Sequence, residues 1–554
     1  MSNASSDKDE QQLALKMEKN FKIFSQYKDR AEALFNKADY TNATAYCQMA
    51  ANFAWKSHCG LFSDPDIESL LRQIGKRTLE EHNQLTPISS LSALKKVLHV
   101  MTQAYETGGH TRLVWRWITL DTSRVHSVFL TNQNDLKIPN KLQQAVEKSG
   151  GDIHCVQRRN TNLVKKAEEL RQFILSQGIE LIVLHIHPYD VVPNVALIGI
   201  FESMPVIFMN HADHVFWVGG SVSNLIANIR RSGEQLCFSR RGIGFDDSVL
   251  LPLPLEKPDL STSKEIARRA IGIDSDSIMV LTIASSYKFR AVGENDFRTT
   301  VLPFVKRFKK LELIIIGPSE DEKYWREARK LSGGKIRVLG SRKDISVFYR
   351  AADIYLDSMP VSSFTSLLEA ASYGLPVLTL GKSDTSLRMD DPSMPAEIVK
   401  DKSLKDFEGL FEALIVDKDH REKLGSELRE SVSEYHLPES WVNLCENVYR
   451  KVSQKSRIEL KTSNDFMEGI DKGLLRVIDI GVWRSVASVS KGGMKLVTNG
   501  EKLRLMCKLV IATARSPWNL RLFLPSNVKK AIKKIMRAGN RNCIQKRLPE
   551  NENS

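Results

Sequence analysis

Two successive stretches of the chain alternate short β-branched apolar runs with amphipathic segments, and this alternation limits the possible folds more than any other feature. In the first stretch the runs are Lys96–Met101, Val125–Leu130, Ile153–Val156, Ile179–His185, Pro205–Met209 and Gln235–Phe238. In the second they are Met279–Ala284, Glu312–Ile316, Ile336–Leu339, Ile354–Leu356 and Val377–Leu380. Such alternation is typical of βαβ units, whose strands form a parallel sheet. The sequence therefore predicts an α/β protein with two doubly wound sheets.

The amphipathic segments between the runs predict the crossover helices. These are Asn162–Ser176 in the first stretch and Lys264–Ile271, Arg298–Phe308, Ile345–Ala352, Phe364–Tyr373 and Lys405–Leu414 in the second. Val249–Pro258 is rich in proline and is expected to be an extended connector between the two stretches. We predict two Rossmann-like domains, residues 86–255 and 256–454, which face each other across a ligand cleft at the carboxyl ends of their strands.

Both ends of the chain differ from this pattern. Residues 1–85 show helical periodicity and resemble one hairpin of a tetratricopeptide-like repeat, without a second copy, so we expect a helical prefix. Residues 455–554 hold 21 Lys and Arg against 8 Asp and Glu, which is 13 of the 14 net positive charges. Apolar residues alternate with basic ones around 528–537, a pattern that predicts a helix lying on an anionic membrane surface. Nucleic-acid binding and an ordinary solvated helical face are the alternatives.

The composition fits a protein of the cytoplasm. The first residues, MSNASSDKDEQQ, lack the basic start and apolar core of a secretory signal. Seven cysteines are scattered without a C-x-x-C pair, so neither a disulfide framework nor a zinc cage is indicated. We expect a cytoplasmic location, with peripheral attachment to the cytoplasmic membrane face through the basic tail.

The segment Ala352–Leu380 carries the strongest functional signal. A strand ends at Asp357 and a loop leads into a helix, so unpaired N–H groups and the helix dipole there favour a phosphate. The candidate donor-binding residues at the helix start are Ser362, Ser363, Phe364, Thr365 and Ser366. Glu369, one turn on, is expected to accept hydrogen bonds from a ribose or sugar hydroxyl. The alternative is a serine N-cap followed by a solvated glutamate.

Two further loops are candidates for the same ligand. Ile283–Phe297 brings Lys288 and Arg290 to the end of a strand, where a cation could stabilise charge developing on a leaving diphosphate. Gly108 and Gly109 permit a tight turn after the first strand, and their amides would face the cleft. A solvated lysine and a glycine loop without a ligand are the alternatives.

A third candidate cluster follows the strand Pro205–Met209. His211 or His214 could take a proton from an acceptor hydroxyl near neutral pH, with the carboxylate of Asp213 orienting it. Trp217 is assigned to the acceptor side of the cleft, although a core position for it is the alternative. With His185 and His187 nearby these residues could instead bind a metal, but histidines at strand ends more often form hydrogen bonds, so no metal is expected.

The segment Ala352–Leu380 resembles the donor-binding signature of bacterial group 1 glycosyltransferases. Its short polar helix start is similar to that of the O-linked N-acetylglucosamine transferase family and its bacterial relatives. The resemblance implies two domains of the GT-B type and transfer of a sugar from a nucleotide-sugar donor, UDP- or GDP-linked, without a metal or other cofactor. Of two glutamates spaced eight apart in group 1 enzymes, Glu369 matches the second, and Val361 stands at the first.

The resemblance also implies roles for single residues. Lys288 would neutralise the diphosphate as the nucleotide leaves, and His211 would face the donor sugar, with His214 as the second choice. His110 and Thr111 lie in a loop that would touch the donor phosphate and the acceptor. The acceptor would be a glycan, a lipid carrier or a protein, in polysaccharide or glycoconjugate synthesis. A nucleotide-sugar epimerase or hydrolase, or a non-catalytic interaction protein, are the alternative functions.

Overall fold

The two alternating stretches form two parallel sheets. The strands of the first are β1 (Lys96–Met101), β2 (Val125–Leu130), β3 (Ile153–Cys155), β4 (Leu181–His185), β5 (Val206–Asn210), β6 (Leu225–Asn228) and β7 (Ser248–Leu250). Those of the second are β8 (Ile278–Ile283), β9 (Leu311–Ile316), β10 (Ile336–Val338), β11 (Ile354–Leu356) and β12 (Val377–Leu378). The strand orders are β3-β2-β1-β4-β5-β6-β7 and β10-β9-β8-β11-β12. The prediction of two doubly wound sheets is confirmed.

Helices precede, connect and follow these strands. They are α1 (Ser2–Phe35), α2 (Tyr40–Lys56), α3 (Pro65–Thr78), α4 (Gly109–Leu120), α5 (Asn140–Ser149), α6 (Leu163–Gln177), α7 (Val192–Ala196), α8 (Arg231–Arg240), α9 (Lys264–Ile271), α10 (Phe297–Arg307), α11 (Lys323–Leu331), α12 (Ile345–Ala351) and α13 (Phe364–Ser372). Further helices are Leu404–Val416, Lys418–His436, Pro438–Val452, Gly469–Val477, Val482–Gly493 and Asn499–Arg515. This computed structural model describes residues 2–79, 94–106, 108–200, 202–289, 291, 296–380, 390–395, 398, 403–461, 469–477 and 479–515.

The prediction of a strand at Gln235–Phe238 is wrong, because these residues lie within α8. The buried residues of α8 are Gly233, Leu236, Cys237 and Arg240, at intervals of three and four residues. A short apolar run fits a buried helix as well as a strand, and here the longer periodicity is helical. The strand next to β5 is instead β6, and the edge strand β7 takes the start of the expected connector.

The strand order places a switch point in each sheet, between β1 and β4 and between β8 and β11. In open α/β sheets a crevice forms where the chain leaves neighbouring strands in opposite directions, at their carboxyl ends. The loops that leave these strands therefore frame the candidate site.

The helical prefix is anchored to the first sheet domain by one buried carboxylate. Glu68 on α3 accepts hydrogen bonds from the backbone N–H groups of Gly219, Gly220 and Ser221 at 2.7, 3.2 and 3.0 Å. The side-chain amide of Asn194 on α7 donates to it at 2.7 Å. Hydrogen bonds of this kind satisfy a charge that would be costly to bury alone. The prefix is thus fixed against the sheet domain rather than tethered to it.

The helix Pro438–Val452 also reaches the first sheet domain. Trp117 on α4 donates its indole N–H to the hydroxyl of Tyr449 at 2.6 Å, and that hydroxyl donates to Asp121 at 2.9 Å. The indole of Trp441 donates to the carbonyl of Pro252 at 2.6 Å. This packing joins the end of the second alternating stretch to the first half, while the domain limits proposed from the sequence stay predictions.

The chain divides into two compact units, residues 1–479 and 480–554. In the second unit the described residues form the helices Val482–Gly493 and Asn499–Arg515, which pack against each other. Across the described residues, no helix combines the length and the apolar character needed to cross a bilayer. The predicted surface helix around 528–537 lies outside the described part of the chain.

Candidate active site

The loops after β8 and β11 meet at the switch point of the second sheet. Lys288 lies in a short 3-10 turn after β8, and its ammonium donates to the carbonyl oxygen of Ser362 at 2.8 Å. The backbone N–H of Val361 donates to the carbonyl of Lys288 at 3.4 Å. Burial lowers the pKa of Lys288, and nearby Asp357 partly offsets this effect. The structure thus brings the predicted cation to the start of α13.

Asp357 organises the loop before α13. Its carboxylate accepts hydrogen bonds from the N–H groups of Ser358 and Ser363 at 2.8 and 2.9 Å. Ser363 is the N-cap of α13 and has no side-chain capping bond. The N–H groups of the first helical turn lack acceptors within the helix. No described residue outside it accepts from those of Phe364, Thr365 or Ser366, so these amides remain as anion donors, while that of Ser363 is taken.

The glycine loop of the first half touches this helix start. Gly108 has a φ of 121°, which a residue with a side chain rarely adopts. A Cβ at Gly109 would lie 3.1 Å from the hydroxyl oxygen of Thr365. The first turn of α4, in the first half, therefore lies close to the first turn of α13, in the second.

Glu369 joins the two halves by ion pairs. Its Oε1 accepts from Arg112 at 2.8 Å and from Arg116 at 2.7 Å, both on α4, and its Oε2 accepts from the hydroxyl of Tyr349 at 3.2 Å. Burial would raise the pKa of Glu369, but the two guanidinium groups lower it. Sequence reasoning missed both arginines. Their i, i+4 spacing directly after the glycine loop was the available signal, because it puts them on one face of α4.

A pocket of about 480 Å³ opens beside these ion pairs. Its lining includes Gly108 and Arg112 from the first half and Arg342, Tyr349 and Glu369 from the second. It extends from the glycine loop to the loop after β10. A volume of this order suits a small organic ligand held by apolar walls and a few polar groups.

The rings of His211 and His110 lie next to each other in the first half, with 31° between their planes. Their ring centroids lie 4.3 Å apart. His211 Nδ1 lies 3.2 Å from the carbonyl of Met209, and His110 Nε2 lies 2.8 Å from that of His185. Because a carbonyl only accepts, each of these nitrogens carries the proton and the other ring nitrogen keeps its lone pair. Burial lowers the pKa of His211 to about 4 and that of His110 to about 3, so both rings are neutral at pH 7.

Asp213 does not orient His211 as expected. Its carboxylate accepts two hydrogen bonds from Arg230, at 2.6 and 2.7 Å, and contacts His214 Nδ1 at 3.1 Å. Asp213 is buried, so it supports neighbouring side chains rather than reaching an acceptor. Arg230 in turn lies 5.7 Å from the ring centroid of Phe364 at the start of α13. Arg230 was not predicted, since it follows a strand that the sequence pattern did not reveal.

The assignment of Trp217 to the acceptor side is wrong. Its side chain is 1% exposed and stacks on Phe208 with 4.3 Å between ring centroids. The guanidinium of Arg241 lies 4.7 Å from its ring. The ring is therefore held in the core of the first half, where no acceptor can touch it.

Two other predictions concern Arg290 and metal binding. Arg290 lies outside the described residues. No group of three or more His, Cys, Asp and Glu side chains in the described part of the chain is arranged to hold a metal ion.

The comparisons with known proteins agree with this geometry. Residues 280–391 match the family model described as glycosyl transferases group 1. Among curated proteins, no sequence matches this chain. Similar solved structures include a glycosyltransferase from Rickettsia africae ESF-5, with 11% identity, a TM-score of 0.49 and coverage of 65% of this chain and 100% of that one.

Two further solved structures are similar to this chain. An O-GlcNAc transferase mutant from Thermobaculum terrenum has 15% identity, a TM-score of 0.44 and coverage of 76% and 79%. A UDP-GlcNAc 2-epimerase from Neisseria meningitidis has 16% identity and a TM-score of 0.43, with coverage of 64% of this chain and 99% of that one. Likenesses this remote assign no role to any residue. The family match lies on the segment that holds Lys288 and α13, and the resemblance predicted from the sequence is confirmed: residues 280–391 are similar to group 1 glycosyl transferases.

Proposed function

We propose that this chain transfers a hexosyl or N-acetylhexosaminyl group from a UDP- or GDP-linked sugar to a hydroxyl acceptor in polysaccharide or glycoconjugate synthesis. The contact between Lys288 and the start of α13 carries the proposal. An ammonium group and free first-turn amides at one place form an anion site that suits a diphosphate. The match of residues 280–391 to a glycosyltransferase family supports the same reading.

The nucleoside would occupy the 480 Å³ pocket next to this anion site. Glu369 would then contact the ribose from its Oε2 side, because its Oε1 already accepts from Arg112 and Arg116. The diphosphate would lie between Lys288, the amides of α13 and the glycine loop. As the bond to the sugar breaks, negative charge grows on the diphosphate, and fixed donors stabilise it without reorganising.

His211 is the proposed base for the acceptor hydroxyl. Its Nδ1 is held by the carbonyl of Met209, which leaves Nε2 as a proton acceptor. The low pKa keeps His211 neutral at the pH of the cytoplasm, the expected location, so its ring can accept a proton. The same low pKa makes the driving force for proton transfer to His211 modest. His214, which is held by Asp213, is the second candidate.

A panel of UDP- and GDP-sugars tests the proposal, with release of the nucleoside diphosphate and the fate of the sugar both measured. A sugar attached to an acceptor supports transfer, whereas a free or epimerised sugar would identify the alternative reaction. Lys288→Ala should weaken UDP or GDP binding by about tenfold or more, since charge-assisted hydrogen bonds are lost. Lys310→Ala removes an exposed lysine of the same half and is the control. If calorimetry shows that Lys288→Ala and the wild type bind UDP or GDP equally well, the proposed anion site is wrong.

The second unit supports a proposed contact with anionic membranes. Residues 480–515 hold seven Lys and Arg against one Glu. On the helix Asn499–Arg515, Leu503, Met506 and Val510 are 66%, 52% and 61% exposed and recur at intervals of three and four. An exposed apolar stripe among basic residues is typical of helices that lie in the headgroup region.

Vesicle sedimentation tests this contact. Deletion of residues 480–554 should abolish binding to phosphatidylcholine vesicles that contain phosphatidylserine, and Leu503→Glu in the full chain should reduce it. The deletion begins after Asp479 so that Asp471 is kept. Asp471 is buried in ion pairs with Arg240 and His58, and removing Asp471 would leave a buried cation unpaired. Binding that survives both changes would refute the proposed membrane contact.

A further inference from the structure

Aromatic rings form a continuous row from the helical prefix to the cleft histidines. Trp55 on α2 lies 5.3 Å from Tyr189, which lies 5.7 Å from His187, measured between ring centroids. His187 and Tyr105 are parallel at 6.0 Å, with 6° between their planes. We call Trp55, Tyr189, His187 and Tyr105 the aromatic ledge. Tyr105 is 39% exposed, and the other three are half-buried.

One end of the ledge reaches the proposed reaction centre. The ring centroid of His187 lies 6.0 Å from that of His110, which in turn lies 4.3 Å from that of His211. Tyr105 also lines the 480 Å³ pocket. A molecule lying along the ledge would therefore end beside both the proposed base and the proposed donor pocket.

A lysine stands at the other end. The ammonium of Lys56 lies 5.0 Å from the ring centroid of Trp55 and 5.9 Å from that of Tyr189. Its hydrogen-bond partner is the neutral side chain of Asn52, and no carboxylate among the described residues forms an ion pair with it. Burial lowers the pKa of Lys56 to about 8. A half-buried cation without a counter-ion is costly, and an anion brought by a ligand would relieve that cost.

We propose that the aromatic ledge is an acceptor subsite for an acidic saccharide, an oligosaccharide that carries a carboxylate or phosphate near Lys56. This inference rests on the proposed glycosyl transfer and names the class of its acceptor. The faces of aromatic rings are electron-rich and apolar, so they suit the C–H faces of pyranose rings. The polar tips of Tyr189, His187 and Lys56 can bind hydroxyl groups and the acidic group. The prefix thereby supplies part of the acceptor site.

The spacing of the ledge favours a chain of sugars over a single ring. Three successive centroid distances of 5.3, 5.7 and 6.0 Å separate Trp55 from Tyr105. A saccharide whose acidic residue lies at Lys56 would place a later sugar at His110 and His211. Its terminal hydroxyl would then lie next to the proposed base.

A glycan array with neutral, uronate-bearing and phosphorylated oligosaccharides tests the subsite on the full chain. The wild type should bind acidic members, and Trp55→Ala should weaken them by about tenfold or more. Lys56→Gln should remove the preference for acidic over neutral members. Trp55→Phe keeps an aromatic ring and should retain most of the affinity. Phe245→Ala, which removes a 75% exposed ring outside the ledge, is the matched control.

Calorimetry with UDP and GDP on the same variants separates this inference from the proposed function. Trp55→Ala and Lys56→Gln should bind the nucleotide like the wild type, which also shows that they are folded. A wild type that binds nucleotide but no glycan, or glycan binding that Trp55→Ala leaves unchanged, overturns the subsite. Equal affinity for neutral and acidic glycans overturns the role of Lys56. A wild type that binds neither UDP nor GDP instead overturns the donor site.

Discussion

Five neighbouring strands follow the same order in both sheets, β3-β2-β1-β4-β5 and β10-β9-β8-β11-β12, but the two sets differ in what they bury. In the first half, β1, β2 and β4 carry His99, His126 and His185, which are fully buried. His99 Nδ1 lies 3.0 Å from His185 Nε2, and His99 Nε2 lies 3.0 Å from His126 Nδ1. In the second half, β8 and β9 read IMVLTI and LELIII and are mainly aliphatic. The same topology thus buries a row of imidazole rings in the first half and mainly aliphatic side chains in the second.

The hydrogen bonds of these three histidines indicate which nitrogen of each ring carries a proton. His126 Nε2 lies 3.1 Å from the carbonyl of Asp121, so this nitrogen must be the donor. His99 and His185 then donate from Nε2 along the row, and His185 Nδ1 remains a lone pair without a hydrogen-bond partner among the described residues. Burial lowers the pKa of His99 and His185 well below the usual value, so both rings are neutral at pH 7. An added proton on either ring would place a charge in the core of the first half.

The largest expected effect is a loss of stability in mild acid. Burial lowers the pKa of His99 and His185 well below the usual value, that of His187 to about 3 and that of His211 to about 4. Between those values and about 6.5 the unfolded chain binds protons that the folded chain does not, so stability is complete above about pH 6.5 and falls as the pH drops. At pH 5 each such histidine lowers the free energy of unfolding by at most about 2 kcal/mol.

Thermal unfolding at pH 7.5 and pH 5 measures the total loss. Amide hydrogen exchange, corrected for the intrinsic pH dependence, locates it. Peptides from β1, β2 and β4 should lose protection before those from β8, β9 and β11, because segments of a protein can open separately. Equal melting temperatures at the two pH values, or earlier loss of amide protection in the second half, would show that the buried histidines do not make the first sheet more sensitive to acid.

His211→Ala should separate the roles of the two cleft walls. If the first half supplies the base, turnover should fall by about 10² to 10⁴-fold, while UDP or GDP binding stays unchanged. His420→Ala removes an exposed histidine of the second half and is the control for folding and purity. A fully active His211→Ala enzyme would show that His211 is not the base. If His214→Ala were inactive instead, His214 would be assigned as the base.

Glu369→Ala should weaken the link between the halves. It leaves Arg112 and Arg116 facing each other without their shared carboxylate, and loss of one partner in such a buried pair costs about 3 kcal/mol. Glu369→Gln keeps the shape and should cost less. Denaturant unfolding measures the difference, with Glu412→Ala at the exposed pair with Arg307 as the control, expected to cost less than about 1 kcal/mol. Equal costs at the two positions would show that Glu369 contributes little to the link.

Much of the fold could be predicted because its signals are local. The limits of β1, β2 and β11 were predicted to the residue, since each is a β-branched apolar run between polar breaks. The start of α13 at Phe364 was predicted to the residue. The strand prediction at Gln235–Phe238 failed because four residues carry too little periodicity to distinguish a strand from a helix.

The site was predictable only in part, because its partners are distant in sequence. Arg112 and Arg116 lie more than 250 residues from Glu369, and their pairing depends on how α4 meets α13. The burial of Trp217 depends on Phe208 and Arg241, which its own segment does not reveal. Trp55 and Lys56 belong to the prefix, whose docking through Glu68 leaves no local pattern.

The sequence by itself determined the two parallel sheets, the position of the α13 start and the basic tail, because periodicity, turn residues and charge act within a few neighbouring positions. Tertiary structure alone decided which charges meet across the cleft, which aromatic rings remain accessible and which histidines are neutral. Those properties depend on burial and on distances between segments that come together only when the core forms. Burial sets the free energy of each charge, so the chemistry of the cleft follows from packing.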